Sequence, residues 1–377
     1  MQVGSRRRVA VVTGTRAEWG LLRPVVSAMA ERSDLAVGVL AVGWHRVSGT
    51  VAEARGQVEA SGAAWWGEVE MQRAGEVGRW HDAAALGRGV AGLSERLSGL
   101  AEAGGLDWVV VLGDRIEALA GALAGSVGGV RVAHLHGGDR AEGVADEAMR
   151  HAVSKLAHLH LPATAGSAER LRRMGEADDA VVVVGSPAID GLDEVEAEDG
   201  GPGLIVLRHP VGATDEQERV WMEATLSAAR SGAGKLGLAW AVLGPNGDPG
   251  RAGIVSAIEA AGVEPIDHLP RERWLAWLKG ARVIVGNSSA GLIEASALGT
   301  ACVNLGQRQS GREQAGNAVD CRDPQVTAIE IAIEAALRLD LSATEHPYGD
   351  GRAGLNAAHA LATIELDRVP IRKRNAY

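Results

Sequence analysis

Residues 109–117 (VVVLGDRIE) and 132–151 (VAHLHGGDRAEGVADEAMRH) decide how this chain is read. Each opens as an apolar run rich in β-branched residues and ends abruptly in Gly, Asp, His and Arg. A buried parallel strand reads this way when it delivers polar side chains to the carboxyl edge of a sheet. In open α/β sheets the ligand crevice lies outside that edge. Asp114, His136, Asp139, Asp146 and His151 follow in close succession. A surface loop can carry five ionisable groups by chance; at the end of two buried strands they read as an active site.

Outward from these segments, strand-like runs alternate with helical stretches. The first half predicts strands at Arg8–Thr13, Leu35–Val42, Trp108–Leu112, Arg131–Leu135, His158–Ala163 and Ala180–Gly185. Helical spacing falls at Arg16–Glu31, Asp82–Ala103, Ile116–Ser126 and Asp146–Lys155. Glu194–Gly203 (EVEAEDGGPG) is acidic and then Gly/Pro-rich, which reads as a linker. Beyond it, strands are expected at Leu204–Leu207, Leu238–Leu243, Val263–Ile266, Arg282–Gly286 and Ala301–Leu305. Helices are expected at Asp215–Arg230, Glu272–Lys279, Ala290–Leu298 and Gln325–Leu337. Such alternation implies parallel sheets with right-handed crossovers. The expected fold is α/β, two Rossmann-like domains with a cleft between them: 1–195 carrying the carboxylates, and 203–355 binding nucleotide. Residues 356–377 form a C-terminal helix and tail that can pack back on the first domain.

Bulk properties agree with two soluble domains. The 377 residues exceed what one core usually supports. A net charge of −10 argues against a nucleic-acid partner, because binding along a phosphate backbone needs a basic face. The dense basic runs Arg6–Arg8 and Arg372–Arg374 read as solvated ends. No apolar stretch approaches the roughly 20 residues that span a bilayer, and the N-terminus lacks a signal-peptide pattern. A cytoplasmic protein with no membrane partner is expected. Cys302 and Cys321 show no metal-ligand spacing, and His158 with His160 finds no spaced third ligand, so no metal is expected. The absence of Phe beside ten Trp has no functional account.

Several turns carry chemistry. Val285–Gly299 (VGNSSAGLIEASALG) reads as strand, polar turn and helix start. Ser288 or Ser289 can cap that helix and leave its N–H groups facing an anion. Glu294, a turn and a half inside, can accept two ribose hydroxyls; an ordinary capped helix with a surface Glu is the plainer alternative. In Thr13–Gly20 (TGTRAEWG), Arg16 can reach a phosphate; the absence of GxGxxG argues against a nicotinamide cofactor. His209 ends the strand Val206–Pro210 (VLRHP), where a lone His is commonly a satisfied structural residue. Facing carboxylates, it becomes an acid or a phosphate partner. Pro245–Arg251 (PNGDPGR) can line the same cleft, and Arg308 and Arg312 of Gly306–Glu313 (GQRQSGRE) can meet phosphate or be surface charges.

Taken in order, GTRAE, LGDR, H-x-HGG-acid, EG-x-x-D-x-x-x-RH, HP, PN-x-D, GNSS-x-G-x-x-E, NLG-x-RQ-x-GRE and PYGDG resemble the hydrolysing UDP-N-acetylglucosamine 2-epimerases of sialic-acid biosynthesis. The resemblance runs from Thr13 to Gly351. It implies the two-Rossmann architecture shared with B-type glycosyltransferases (GT-B-like), and conversion of UDP-GlcNAc and water to ManNAc and UDP. The implied route is elimination to a 2-acetamidoglucal followed by hydration, with no cofactor. It also implies a homodimer or homotetramer.

By the same resemblance, Asp114, Asp139, Asp146 and His209 are catalytic. Arg16, Glu18, His45, Arg115, His136, Arg150, Asn246, Asn287, Ser288, Ser289, Gly291, Glu294 and Arg312 contact nucleotide or sugar. Closely spaced carboxylates push their pKa values apart, which lets one serve as acid and another as base. Asp139 stands where the family usually has Glu, Trp19 where it often has Tyr, and His268 with Trp274 where it has an aromatic pair. These departures leave open GDP-GlcNAc or a UDP-di-acetamido sugar as substrate. A non-hydrolysing epimerase is the close rival, although HLHGG (134–138) replaces the H-x-E-AG string of that class. A B-type glycosyltransferase or a nucleotide-sugar sensor would need no cluster of carboxylates around C2.

Overall fold

The computed structural model describes residues 6–76, 78–141, 147–267, 269–342 and 346–376. The chain divides into two compact units. The first comprises Met1–Asp139, Asp146–Asp190 and Tyr348–Tyr377; the second comprises Arg140–Ala145 and Gly191–Pro347.

The first unit holds strands β1 (Arg7–Thr13), β2 (Leu35–Val42), β3 (Ala64–Val69), β4 (Trp108–Leu112), β5 (Arg131–Leu135) and β6 (Leu159–Leu161). They form one parallel sheet in the order β3-β2-β1-β4-β5-β6. Every residue of β4 is buried, because helices cover both faces. Alternation then sorts the side chains by face. Val9, Val11 and Val110 pack with the helices Arg16–Ala30 and Ala353–Thr363, whereas Ala10, Val12, Val109 and Val111 pack with Arg79–Glu102 and Ile116–Val127.

Two departures from the sequence reading have local causes. β3 is an unforeseen edge strand: its residues are mostly half-buried and Gly67 interrupts the run, so no apolar signal marks it. The expected strand Ala180–Gly185 shrinks to a single bridge, His160 with Val181. Val182 and Val184 still donate to the carbonyls of His160 and Pro162. Pro162 has no N–H to return, so the ladder stops there.

The C-terminal segment belongs to this unit. Gly354 sits so close to the helix Arg16–Ala30 that an added Cβ would lie 2.7 Å from the carbonyl oxygen of Pro24. The tail then crosses the amino edge of the sheet. Arg7 at the start of β1 donates to Leu361 O (2.7 Å) and Ile364 O (2.8 Å); Arg131 at the start of β5 donates to Val369 O (2.8 Å). His158, just before β6, reaches Ile371 O at 3.1 Å. The basic run Arg372–Arg374 is therefore not wholly solvated: Lys373 pairs with buried Glu176 at 2.5 Å.

The second unit holds β7 (Leu204–Leu207), β8 (Trp240–Val242), β9 (Val283–Gly286), β10 (Ala301–Leu305) and β11 (Ala318–Cys321), parallel in the order β11-β10-β9-β7-β8. The expected strand Val263–Ile266 contributes one bridge, Ile266 with Leu243 beside β8. Counting that position, the second sheet repeats the order of the first. The expected helix Ala290–Leu298 is broken into a 3₁₀ turn, Ser289–Gly291, and one helical turn, Glu294–Ala297. Asn317 Nδ2 takes the Gly291 carbonyl at 2.9 Å, the acceptor a continuous helix would offer to Ala295 N. Among the described residues no helix is long and apolar enough to cross a membrane, and no group of three His, Cys, Asp or Glu is arranged to hold a metal.

Candidate functional site

Each parallel sheet has a switch point where strand order reverses, between β1 and β4 in the first unit and between β7 and β9 in the second. The polar residues gather at the carboxyl ends of these strands.

After β1, Thr15 caps the helix Arg16–Ala30 by accepting from Glu18 N (3.1 Å), and the Glu18 carboxylate reaches back to Gly14 N (2.6 Å). This is a capping box. The sequence expectation that Glu18 touches substrate meets a buried residue with a local task. Burial first, then the charge of Glu117, pushes its carboxyl up to about 8. Glu117, fully buried, accepts from Gln72 Nε2 (2.7 Å) and Arg115 Nε (3.2 Å). Gly14 is needed here, since a Cβ would fall 2.4 Å from Glu117 Cγ. His45 is likewise buried, 3.2 Å from Thr13 Oγ1, and burial lowers its pKa to about 4. Arg16 pairs with Glu53 on the helix Val51–Ala60; both are about two-fifths exposed, so water or a ligand anion can take the place of Glu53.

After β4, Gly113 turns the chain at φ +76° and presents Asp114. Arg150, 2% exposed, reaches three acceptors: the Asp114 carboxylate, Glu147 Oε2 (2.5 Å) and Asp139 O (3.1 Å). A guanidinium suits this because its N–H fork is rigid and permanently charged. The side chains of Asp114 and Glu147 each keep 25% exposure.

Asp139 behaves differently. Its Oδ2 lies 2.8 Å from His136 Nδ1, and its Oδ1 accepts from Ser167 Oγ at 2.9 Å. Both carboxylate oxygens are thus engaged in a buried network. His136 is the non-glycine residue held at positive φ among the described residues (+61°), and its Nε2 lies 3.0 Å from Ser186 Oγ. Backbone strain of this kind persists where surroundings over-determine it. The Ser186–His136–Asp139 order mimics a nucleophilic triad, but Ser186 is fully buried and caps a 3₁₀ turn, so it cannot attack a substrate. Asp146 lies outside the described residues, as does His268.

In the second unit, Asn287 clasps the ends of β7 and β9. Its Oδ1 accepts from His209 N (2.7 Å) and its Nδ2 donates to His209 O (2.8 Å). At 1% exposure its side chain staples the two strand ends together. His209 Nδ1 accepts from Asn246 N at 3.2 Å, which fixes the proton on Nε2. Burial and then the nearby Arg308 charge lower its pKa to about 3, so the ring is neutral. Asn246 is oriented by Asp248 (2.7 Å), and Gln309 Nε2 donates to Asn287 O (3.0 Å) while its Oε1 accepts from Arg312 Nε (2.7 Å). Ser288 and Ser289 keep partial exposure at the 3₁₀ turn, and Ser288 caps that turn rather than a long helix. Gly291 is required by packing, because a Cβ would meet Cys302 Sγ at 2.5 Å. Glu294 opens the one-turn helix instead of lying inside a longer one, and its Oε1 accepts from Arg271 Nη1 at 2.8 Å.

The first unit thus brings together Asp114 with Arg150, and His136 with Asp139. The second brings together His209, Asn246 and Asn287. Glu117, Glu147, Ser167, Ser186, Gln309 and Arg271 were missed, although Glu117 and Glu147 lie inside the motifs LGDRIE and VADEAMRH that drew attention to their neighbours. Trp19 is a core residue, 2% exposed, bonded to Gln57 at 2.6 Å.

The chain is similar to known proteins in sequence and in fold. The family described as UDP-N-acetylglucosamine 2-epimerase matches residues 67–362. A Legionella pneumophila protein named UDP-N,N'-diacetylbacillosamine 2-epimerase (hydrolyzing) is 31% identical over 98% of this chain and 100% of its own length. A UDP-N-acetylglucosamine 2-epimerase of Neisseria meningitidis serogroup B is 30% identical over 92% of this chain and 91% of its own. The same fold occurs in the crystal structure of UDP-GlcNAc 2-epimerase from Neisseria meningitidis bound to UDP-GlcNAc, with TM-score 0.75, 19% identity, and coverage of 94% and 99% of the two chains. The chain belongs to the UDP-N-acetylglucosamine 2-epimerase family.

Proposed function

We propose that this enzyme is a hydrolysing nucleotide-sugar 2-epimerase that turns UDP-GlcNAc and water into ManNAc and UDP. The observation that carries the reading is the contrast between two carboxylates. Asp114 keeps a quarter of its side chain exposed and is oriented by buried Arg150, whereas Asp139 has both oxygens engaged by His136 and Ser167. An oriented, accessible carboxylate suits proton transfer at a sugar carbon. In this reading Asp114 takes the C2 proton, the C2–H electron pair becomes the C1=C2 bond, and UDP departs with the C1–O electrons. Water then adds its oxygen to C1, and C2 regains a proton from the opposite face. Asp139 acts one step removed, holding His136.

Nucleotide recognition falls to the second unit. The neutral His209 offers its Nε2–H to a phosphate oxygen as a hydrogen-bond donor rather than as an imidazolium acid. Ser288 and Ser289 offer hydroxyls to the diphosphate, and Glu294, aimed by Arg271, accepts from ribose.

A UDP-linked di-acetamido sugar is the second substrate reading, favoured by the end-to-end similarity to the hydrolysing diacetylbacillosamine enzyme. Incubation with each nucleotide sugar in deuterated water, followed by proton NMR, tests both readings. Free UDP with a C2-deuterated manno product supports hydrolysis and proton abstraction. A UDP-linked epimer without free UDP makes the enzyme non-hydrolysing, and inertness toward every nucleotide sugar overturns the proposal.

A further inference from the structure

A chain of contacts links the C-terminal tail to the turn that carries Asp114. Lys373 Nζ donates to Ser154 O (3.1 Å) and Lys155 O (2.9 Å), the open carbonyls at the end of the helix Glu147–Leu156. The ammonium is held there by buried Glu176, whose carboxylate also pairs with His160 (2.8 Å) and Lys155 (2.7 Å). Ser154, fully buried on the same helix, places its Oγ 3.1 Å from His134 Nδ1. His134 Nε2 lies 2.7 Å from Gly113 O. A carbonyl only accepts, so Nε2 carries the proton and Ser154 O–H donates to Nδ1.

Gly113 is therefore gripped on both sides, its carbonyl by His134 and its N–H by Leu135 O at 3.0 Å. The next residue is Asp114. The same helix also carries Arg150, the partner of the Asp114 carboxylate. Gly137 gives this arrangement its space: a Cβ there would lie 2.9 Å from His134 Nδ1 and 3.2 Å from Ser154 Oγ.

We propose that His134, Ser154 and Lys373 are positioning residues, and that the C-terminal tail acts through them to set the Gly113–Asp114 turn for chemistry at the sugar. None of the three is asked to touch substrate. The tail straps the helix Glu147–Leu156 at one end, and that helix holds Asp114 twice, through the Arg150 side chain and through the Ser154–His134–Gly113 relay.

The inference rests on the proposed role of Asp114, so its test has an arm independent of turnover. Hydrogen exchange at the Gly113 amide is measured in the full chain for wild type, His134→Leu, His134→Gln, Ser154→Ala and Lys373→Met. Turnover is followed in parallel with the nucleotide sugar that wild type accepts. Gln can still donate from its amide to Gly113 O; Leu cannot. His134→Leu is expected to exchange at Gly113 at least tenfold faster and to lose about a hundredfold in kcat, the scale of a 1 Å misplacement, with KM within threefold. His134→Gln is expected to restore most of both. Ser154→Ala and Lys373→Met are expected to show smaller changes of the same kind, and they keep the test open if His134→Leu does not fold. Unchanged exchange and kcat in folded His134→Leu or Ser154→Ala overturns the inference. Faster exchange in a protein whose wild type turns over no nucleotide sugar supports the strap and defeats the proposed function instead.

Discussion

Arg150→Met is the sharpest test of how the first unit holds its carboxylates. The guanidinium is 2% exposed and reaches Asp114, Glu147 Oε2 at 2.5 Å and Asp139 O at 3.1 Å. Met fills much of the stem's volume, so the loss is chiefly one of charge and hydrogen bonds. Removing one partner of a fully buried ion pair costs about 3–5 kcal/mol. Here the side chains of Asp114 and Glu147 are each 25% exposed, so water recovers part of that. A loss of about 3 kcal/mol is expected, or about 6–12 °C in Tm at the 2–4 °C per kcal/mol usual for a unit of this size. Thermal melts of wild type, Arg150→Met, Asp114→Asn and the double variant complete a cycle, and the two residues should couple by about 1–2 kcal/mol. The kcat of Arg150→Met should fall about a hundredfold as Asp114 loses its orientation. Arg150→Lys should lie between, since an ammonium cannot serve three acceptors with a rigid fork. A Tm within 2 °C of wild type, or an additive cycle, refutes the reasoning.

Other expectations are as specific. Glu18 has a folded pKa of about 8, above its unfolded value, so its contribution is complete below about pH 4.5 and is lost as pH rises toward 8. Glu18→Gln should therefore gain Tm over wild type at pH 8.5 relative to pH 5; parallel melting profiles across that window would sink the argument. His209→Gln keeps a donor near the Nε2 position and should hold UDP within about tenfold of wild type by calorimetry, whereas His209→Phe should lose more; equal losses would mean that the donor is not used. Asp139→Glu adds a methylene between His136 and Ser167 and should cost about 1–3 kcal/mol by overpacking, read as a lowered Tm. A raised Tm would show that the pocket has room. Glu294→Ala should weaken UDP binding about tenfold and leave kcat at saturation nearly intact; a pure kcat effect removes Glu294 from the ribose.

How much of this was legible beforehand depends on the kind of signal each element carries. β1, β2, β4, β5, β7 and β10 announce themselves because both faces are largely buried and most of their residues are apolar. The edge strands β3 and β11 do not, because half-exposed edges need no apolar run. Position at the carboxyl ends of the expected strands also singled out Asp114, His209 and the Ser288–Ser289 turn; the switch points themselves came with the strand order.

What the sequence by itself determined, then, is the parallel α/β architecture, the family motifs and the set of polar residues at the strand ends. Only the tertiary structure decided what each of them touches there. Asp139, Asn287, His45 and Glu18 look like Asp114 and His209 in a motif, yet the side chains of Asp139, Asn287 and His45 are taken up by buried partners, and Glu18 is buried with one oxygen bound in a cap. Hydrogen-bond satisfaction is a property of surroundings, since a buried polar group must find partners wherever the fold brings them. The same reason hid Lys373, whose basic neighbours suggested a solvated end and whose ammonium found Glu176 and the last carbonyls of a helix more than two hundred positions earlier in the chain.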